Sequence, residues 1–249
     1  MIWFVGAGPG AKDLITVRGQ ERLQKADIVI YTGSLVNPAL LEYAPAACRI
    51  YNSAEMTLAE VIAVMRQGDA DGRQIVRLHT GDPSLYGAVR EQMNALDALG
   101  IAYEVCPGVS SFCGAAASLR AEYTLPGLNQ SVIITRAAGA TAVPEKERLS
   151  ALARHGATMI LFLSAGLLET VKTELLQGAY NETTPCALVY KATWEDEKIV
   201  RGTLGRLPDM ARENGIRKTA LVLVGEFLDG VCEPSRLYAP DFSTEYRKA

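Results

Sequence analysis

Histidine is scarce in this chain, with only His79 and His155 among 249 residues. Zinc or iron centres built from imidazole clusters are hard to assemble from that supply, and no metal site is expected. The five cysteines (Cys48, Cys106, Cys113, Cys186 and Cys232) are odd in number and contain no C-x-x-C pair. That pattern fits buried thiols in a reducing compartment better than a disulfide framework. Neither sign of charge dominates: 25 Lys and Arg against 28 Asp and Glu leave a formal charge of −3. A strongly basic nucleic-acid binder and an acidic disordered tail are both excluded. No apolar run approaches the roughly 18 residues of a membrane span. The opening MIWFVGAGPG lacks a basic lead and turns glycine-rich after five residues, unlike a secretion signal. A cytoplasmic protein is expected, and an anionic ligand would have to meet a local cluster of Arg and Lys.

What is present is a regular alternation. Apolar residues make up 49% of the chain, enough for one large domain or two compact ones at about 100–200 residues each. Short Val-, Ile- and Tyr-rich runs at 2–5, 27–31, 74–78 and 103–105 read as strands. Between them, residues 14–25, 57–66 and 85–99 carry apolar side chains at helical spacing. Strands alternating with helices indicate a mostly parallel α/β sheet. The polar stretch 120–130, RAEYTLPGLNQ, interrupts this rhythm after a small-residue helix at 110–119 and reads as a linker. A second alternation follows: strands at 131–135, 158–163, 185–190 and 219–224, with helices at 145–155, 167–177 and 207–214. Residues 198–202 suit an antiparallel partner of the preceding strand. Two α/β domains, 1–119 and 131–249, are expected, the second ending in an irregular tail from 231.

Loops at strand ends carry the functional signal. Gly6-Ala7-Gly8-Pro9-Gly10-Ala11 satisfies the G-x-G-x-x-A dinucleotide pattern. Pro9, however, removes an N–H from the loop that would cradle a pyrophosphate, and no acid follows the second strand at Tyr31-Thr32-Gly33 to hold a ribose. A tight structural turn is the alternative reading. Thr32 to Pro38, His79 to Gly87 and Pro107 to Phe112 likewise follow strands, where open parallel sheets bind ligands. Asp82 is a helix cap or a catalytic group. Tyr31 and Tyr86 either line a ligand or are half-buried tyrosines. His79 suits packing better than catalysis.

These residues resemble a known family. Gly6-Ala7-Gly8-Pro9-Gly10, Gly81-Asp82-Pro83 and Pro107-Gly108-Val109-Ser110-Ser111, at these spacings, are similar to the tetrapyrrole (corrin/porphyrin) methylases, and the likeness spans essentially the whole chain. Further segments resemble the branch that methylates precorrin-4 at C11 in cobalamin synthesis. They are Tyr31 to Asn37, Asn52 to Glu55, Tyr190 to Trp194 and Asp241 to Arg247.

The resemblance implies two α/β domains, usually in a homodimer, with S-adenosylmethionine bound in the cleft between domains and S-adenosylhomocysteine as product. Carried over by position, Pro9, Gly81, Asp82, Leu85, Ser110, Ser111, Leu163, Ala192, Thr219 and Ala220 are expected at the cofactor. Tyr31, Thr32, Ser34, Arg136 and Lys191 are expected at a polycarboxylate tetrapyrrole, with Arg77, Arg90 and Arg120 as further cations. Related uroporphyrinogen methylases carry an Asp after the second strand and a Lys after the next, both assigned to proton transfer. Here Thr32 and, approximately, Asn52 or Ser53 stand at those places, so no catalytic acid or base is assigned. The readings in competition are a C11-methylase, a methylase of another ring carbon such as C17 or C20, a non-catalytic tetrapyrrole carrier, and a nucleotide-binding module.

Overall fold

The computed structural model describes residues 1–230, 233–236 and 239–248, without the side chain of Ser34; Cys232 lies outside the described residues. The chain forms two compact units, Met1–Ala115 with Lys191–Glu197, and Ala116–Tyr190 with Lys198–Ala249.

The first unit is built on five strands: β1 (Ile2–Gly6), β2 (Ile28–Tyr31), β3 (Arg49–Asn52), β4 (Ile75–His79) and β5 (Tyr103–Cys106). They lie in the order β3-β2-β4-β1-β5, and every neighbouring pair is parallel. Helices α1 (Val17–Gln24), α2 (Leu58–Ala70) and α3 (Arg90–Ala98) lie between them in sequence, and α4 (Ser111–Leu119) follows β5. Both faces of the sheet are covered. Trp3, Val5, Val29, Val76 and Leu78 bury on one side, and Ile2, Phe4, Ile28, Ile30 and Ile75 on the other. The continuous apolarity of β1 and β2 follows from that double burial. Thr57 caps α2 reciprocally with Glu60, the Thr-x-x-Glu capping box.

Strand β3 was not foreseen: its RIYN sequence lies at the sheet edge with two exposed residues and lacks a long apolar run. Helix α3 starts at Arg90, not at 85. Gly81, Tyr86 and Ala88 adopt positive φ of 60°, 55° and 48°, and a right-handed helix does not pass through such residues.

The second unit holds β6 (Val132–Arg136), β7 (Thr158–Phe162), β8 (Pro185–Tyr190), β9 (Lys198–Thr203) and β10 (Ala220–Val224), in the order β6-β7-β10-β8-β9. Only β6 and β7 run parallel, because β10 is antiparallel to both β7 and β8, and β9 is antiparallel to β8. The mostly parallel pattern expected of both sheets therefore holds in the first, while the second is mixed; residues 198–202 do pair antiparallel with the preceding strand, as their sequence suggests. Helices α5 (Leu149–Leu152), α6 (Leu168–Leu175) and α7 (Leu207–Glu213) bury Leu149, Leu168, Val171, Leu175, Leu207 and Met210 in the core of this unit. The helix expected over 145–155 is broken. Arg148 is extended (ψ 146°), and the last turn closes on Gly156 at φ 58°. The segment 120–130 lies in the second unit, where Leu125 bridges Asn129 and the Tyr123 carbonyl accepts from Thr158 Oγ1 at 2.9 Å.

Candidate functional site

Three of the strand-end loops meet in the first unit, because β4, β1 and β5 are neighbours in its sheet. Gly8 N donates to Gly81 O at 3.2 Å and Gly81 N to Gly8 O at 2.9 Å, while Ala7 N donates to His79 O at 2.7 Å. A Cβ on Gly6 would stand 2.5 Å from Gly108 Cα and 2.6 Å from Gly81 O. Both neighbours are backbone atoms, so the contact cannot be relieved by a side chain turning away. This close approach, rather than pyrophosphate binding, accounts for Gly6 and Gly108. Gly81, at φ 60°, lies against the start of α4. Its missing Cβ would sit 3.4 Å from Ser110 Cα and 3.4 Å from Ser111 N.

Asp82 ties two of these loops together. Its Oδ2 accepts from Gly108 N at 2.8 Å, and its Oδ1 accepts from Ser84 N at 2.8 Å and also from the Ser84 hydroxyl. Partial burial works against the charge, but the bonds from Ser84 and Gly108 outweigh it and hold the carboxyl below the usual Asp range. The carboxylate side chain thus organises the loop. Leu85, half-buried, closes this turn through its N–H to Asp82 O at 3.3 Å. Ser110 is 6% exposed, and its carbonyl accepts from Cys113 N and Gly114 N in the first turn of the helix that Ser111 opens.

At the end of β2, Tyr31 is half-buried and its carbonyl accepts from Ser53 Oγ at 3.0 Å. The Thr32 hydroxyl is buried with no hydrogen-bond partner among the described residues. Such a group is unfavourable unless something supplies a partner. Ser34 lies in the 3-10 turn Gly33–Leu35. Asn52, donating to Glu55 and accepting from Ala54 N, organises the turn after β3.

On β4 itself, His79 and Arg77 are buried at 1% and 4% exposure. Burial, with Arg77 adding to it, pulls the His79 imidazole down to about 3, so it is neutral at physiological pH and packs on Phe4. Arg77 donates to Gln92 Oε1 at 2.9 Å and to Ile30 O at 3.1 Å and points into the core. Arg90 and Arg120 are exposed.

In the second unit, the strand ends named from sequence are conformationally unusual. Leu163, directly after β7, is 66% exposed at φ 52°; Thr219, directly before β10, is at φ 57°. Non-glycine residues held there are strained and cluster at functional sites. Ala220, 8% exposed, pairs with Tyr190. Arg136 donates to Ala137 O (3.2 Å), Thr141 O (3.0 Å) and Ala142 O (2.8 Å). Those acceptors are neutral, so the guanidinium is fixed in place with no ion pair among the described residues.

Lys191, in the first unit, is different. Its Nζ lies 2.6 Å from Asp196 Oδ2 and 4.9 Å from the Trp194 ring centroid. Ala192 is 5% exposed, with its carbonyl 2.7 Å from where a Gly10 Cβ would stand. Pro9 is buried, and its carbonyl accepts from Trp194 Nε1 at 3.3 Å. Trp194 and Thr193 were not singled out from sequence as site residues. They lie some 180 positions from the loop they touch, and only their place next to Lys191 and Ala192 hinted at it.

Among the described residues no group of three or more His, Cys, Asp or Glu is placed to hold a metal ion. In the first unit, glycines packed against one another and a helix start at Ser110-Ser111 form a cradle of backbone groups at the strand ends. The class so defined is an α/β small-molecule enzyme of two units with a cradle at the ends of its parallel strands. The chain matches the Tetrapyrrole (Corrin/Porphyrin) Methylases over residues 1–208 and belongs to that family of methyltransferases. It is 51% identical over 247 residues to the cobalt-precorrin-4 C(11)-methyltransferase of Methanocaldococcus jannaschii, covering 99% of this chain and 95% of that protein. Against the precorrin-4 C(11)-methyltransferase of Mycobacterium tuberculosis it is 44% identical over 228 residues, covering 91% of each. Among solved structures, a cobalt precorrin-4 methyltransferase of cobalamin biosynthesis superposes with a TM-score of 0.90 at 47% identity, covering 92% of this chain and 95% of that one. A uroporphyrin-III C-methyltransferase from Thermus thermophilus, complexed with S-adenosyl homocysteine, superposes at 0.77 with 25% identity, covering 94% and 95%.

Proposed function

We propose that this chain transfers the methyl group of S-adenosylmethionine to C11 of precorrin-4 or its cobalt form, in cobalamin biosynthesis. The observation that carries the reading is the 51% identity, along 99% of the chain, to a cobalt-precorrin-4 C(11)-methyltransferase. The cradle of Gly6, Gly81 and Gly108 supports the choice of cofactor. When bound, S-adenosylmethionine supplies a methyl already activated on a sulfonium; its carbon–sulfur bond breaks with the electron pair left on sulfur, and C11 supplies the pair for the new carbon–carbon bond while the macrocycle gives up a proton.

The chain's own contribution is binding and orientation. Gly81, the Asp82 backbone, Leu85, Ser110 and Ser111 hold the cofactor in the first unit, together with Pro9 and Ala192. Leu163, Thr219 and Ala220 are assigned to the same cofactor by the family resemblance alone. Fixed geometry at a reacting distance of about 3–3.5 Å supplies much of the acceleration, and oriented backbone dipoles stabilise the shifting charge. Tyr31, Thr32 and Ser34 face the macrocycle, the Thr32 hydroxyl gaining there the partner it lacks among the described residues. Arg136, and to a lesser degree Lys191, meet its carboxylates, for which a fixed guanidinium is well suited. The enzyme works in the cytoplasm, a reading that rests on its scattered, unpaired cysteines, and as a homodimer, a reading that rests on the family resemblance; light scattering tests the dimer.

Calorimetry tests the core of the reading. Micromolar binding of S-adenosylhomocysteine with no binding of NAD(P) supports it, and absence of S-adenosylhomocysteine binding overturns it.

A further inference from the structure

The segment Lys191–Glu197 runs from the end of β8 to the start of β9, yet it packs as part of the first unit. There it fastens the first glycine-rich loop at two adjacent peptide groups. Thr193 Oγ1 accepts from Ala11 N at 3.0 Å, and Trp194 Nε1 donates to Pro9 O at 3.3 Å. Between those two points, Gly10 is pressed against the indole so closely that a Cβ would overlap the ring. Asn37 Nδ2 fixes the carbonyl of Gly10 from a third direction, at 2.9 Å. Three consecutive residues of an irregular loop are thus pinned by side chains from two distant segments.

The segment pays for this hold in conformation. Lys191 and Thr193 sit at φ 48° and 68°, and a β-branched residue at positive φ is an outlier. Thr193 N is held in turn by Glu197 Oε2 at 2.5 Å, and Lys191 by Asp196, so the strained turn is over-determined by its own acids. Strain of this kind persists where the surroundings enforce it, and it concentrates at ligand clamps. The fastened loop passes its position on directly, because Gly8, two residues before Gly10, is paired in both directions with Gly81.

From these contacts we infer that Thr193 and Trp194 are positioning residues for the cofactor site, setting the place of the Gly81-Asp82 backbone through the Gly8–Ala11 loop. The inference rests on the proposed methyl transfer, in that Gly81 and Asp82 are taken to bind S-adenosylmethionine. It concerns residues that touch the loop and not the reacting atoms.

The test compares Thr193→Val, Thr193→Ser and Trp194→Ala with the unaltered protein. Val keeps the branched shape and the φ demand of Thr but cannot accept from Ala11 N; Ser keeps the acceptor. The expected result is a rise of about tenfold in the S-adenosylhomocysteine Kd and in the S-adenosylmethionine KM for Thr193→Val and Trp194→Ala, a factor of the size one lost hydrogen bond gives. kcat stays within about twofold, and Thr193→Ser stays within about twofold of the unaltered protein in all three. A merely structural defect would reduce the active fraction, lowering kcat at unchanged KM and Kd, and that outcome overturns the inference. Unchanged values in Thr193→Val overturn it as well, and that variant decides the matter should Trp194→Ala fail to fold. Failure of the unaltered protein to bind S-adenosylhomocysteine would instead strike the proposed function, so the two failures are distinguishable.

Discussion

The carboxylate of Asp82 accepts a hydrogen bond from the backbone N–H of Gly108 at 2.8 Å, joining the loop after β4 to the loop after β5. The other oxygen of the same carboxylate is engaged by Ser84. Asp82→Asn keeps the shape but loses the charge and turns an amide donor toward one of these donors. A hydrogen bond to a charged group contributes about 1.5–3 kcal/mol. The variant is expected to fold with a lower melting temperature and to bind S-adenosylhomocysteine about tenfold or more weakly, measured by calorimetry. Unchanged affinity would separate the loop tie from cofactor binding.

Gly6→Ala and Gly108→Ala should be more severe than Asp82→Asn. Each new methyl would meet backbone of the neighbouring loops, where no side chain can yield. Overpacking of this kind costs about 1–3 kcal/mol or more, and it falls on the cradle itself. Circular dichroism should show a folded, less stable protein with cofactor binding lost. Gly72→Ala, at φ 67° with nothing near its absent Cβ, serves as the control: strain without blockage, and cofactor affinity retained.

The pH dependence of stability follows from His79 and Asp82. His79 is held neutral in the fold, with its pKa depressed to about 3, so below the ordinary His value near 6.5 the unfolded chain binds a proton that the folded chain refuses. Stability therefore falls with pH by up to about 1.4 kcal/mol per unit through that window. Asp82, whose folded pKa is lowered, contributes stability that is present above the unfolded Asp value and lost as pH falls through its folded pKa. Urea denaturation between pH 7 and pH 4 should show the decline, and His79→Gln should flatten its upper part. An equally steep decline in His79→Gln would assign it elsewhere.

Arg136 and Lys191 should behave unequally. Arg136 is fixed by three carbonyls and keeps its charge; Lys191 is matched by Asp196 at 2.6 Å. Arg136→Gln is expected to raise the macrocycle KM about tenfold, equivalent to about 1.4 kcal/mol, with S-adenosylhomocysteine affinity retained. Lys191→Gln should raise it less. Loss of cofactor affinity in Arg136→Gln, seen by calorimetry, would contradict this division.

The first unit was legible in sequence because its strands are buried on both faces and its loops carry Gly and Pro at strand ends, signals that are local. The same locality explains what was missed. The contact of Trp194 with Gly10 joins residues far apart in the chain and leaves no periodic trace. The start of α3 was misplaced because helical spacing at 85–99 does not register the positive φ of Tyr86 and Ala88. Strand β3, polar at a sheet edge, is stabilised by pairing with β2 rather than by its own apolarity. In the second unit, the direction of β10 depends on which strands flank it, which strand propensity does not encode. Arg136 and Lys191 read alike in sequence, as cations for the substrate's carboxylates; the structure distinguishes them through what each side chain touches.

Transfer of the methyl group to C11 is tested most directly by incubating the enzyme with S-adenosylmethionine enriched in ¹³C at the methyl, with metal-free and cobalt-bearing precorrin-4 in parallel, and locating the label by NMR. One enriched methyl on C11 in at least one of the two products is the expected result. A label on C17 or C20, or macrocycle bound by the folded enzyme without any transfer, would contradict it.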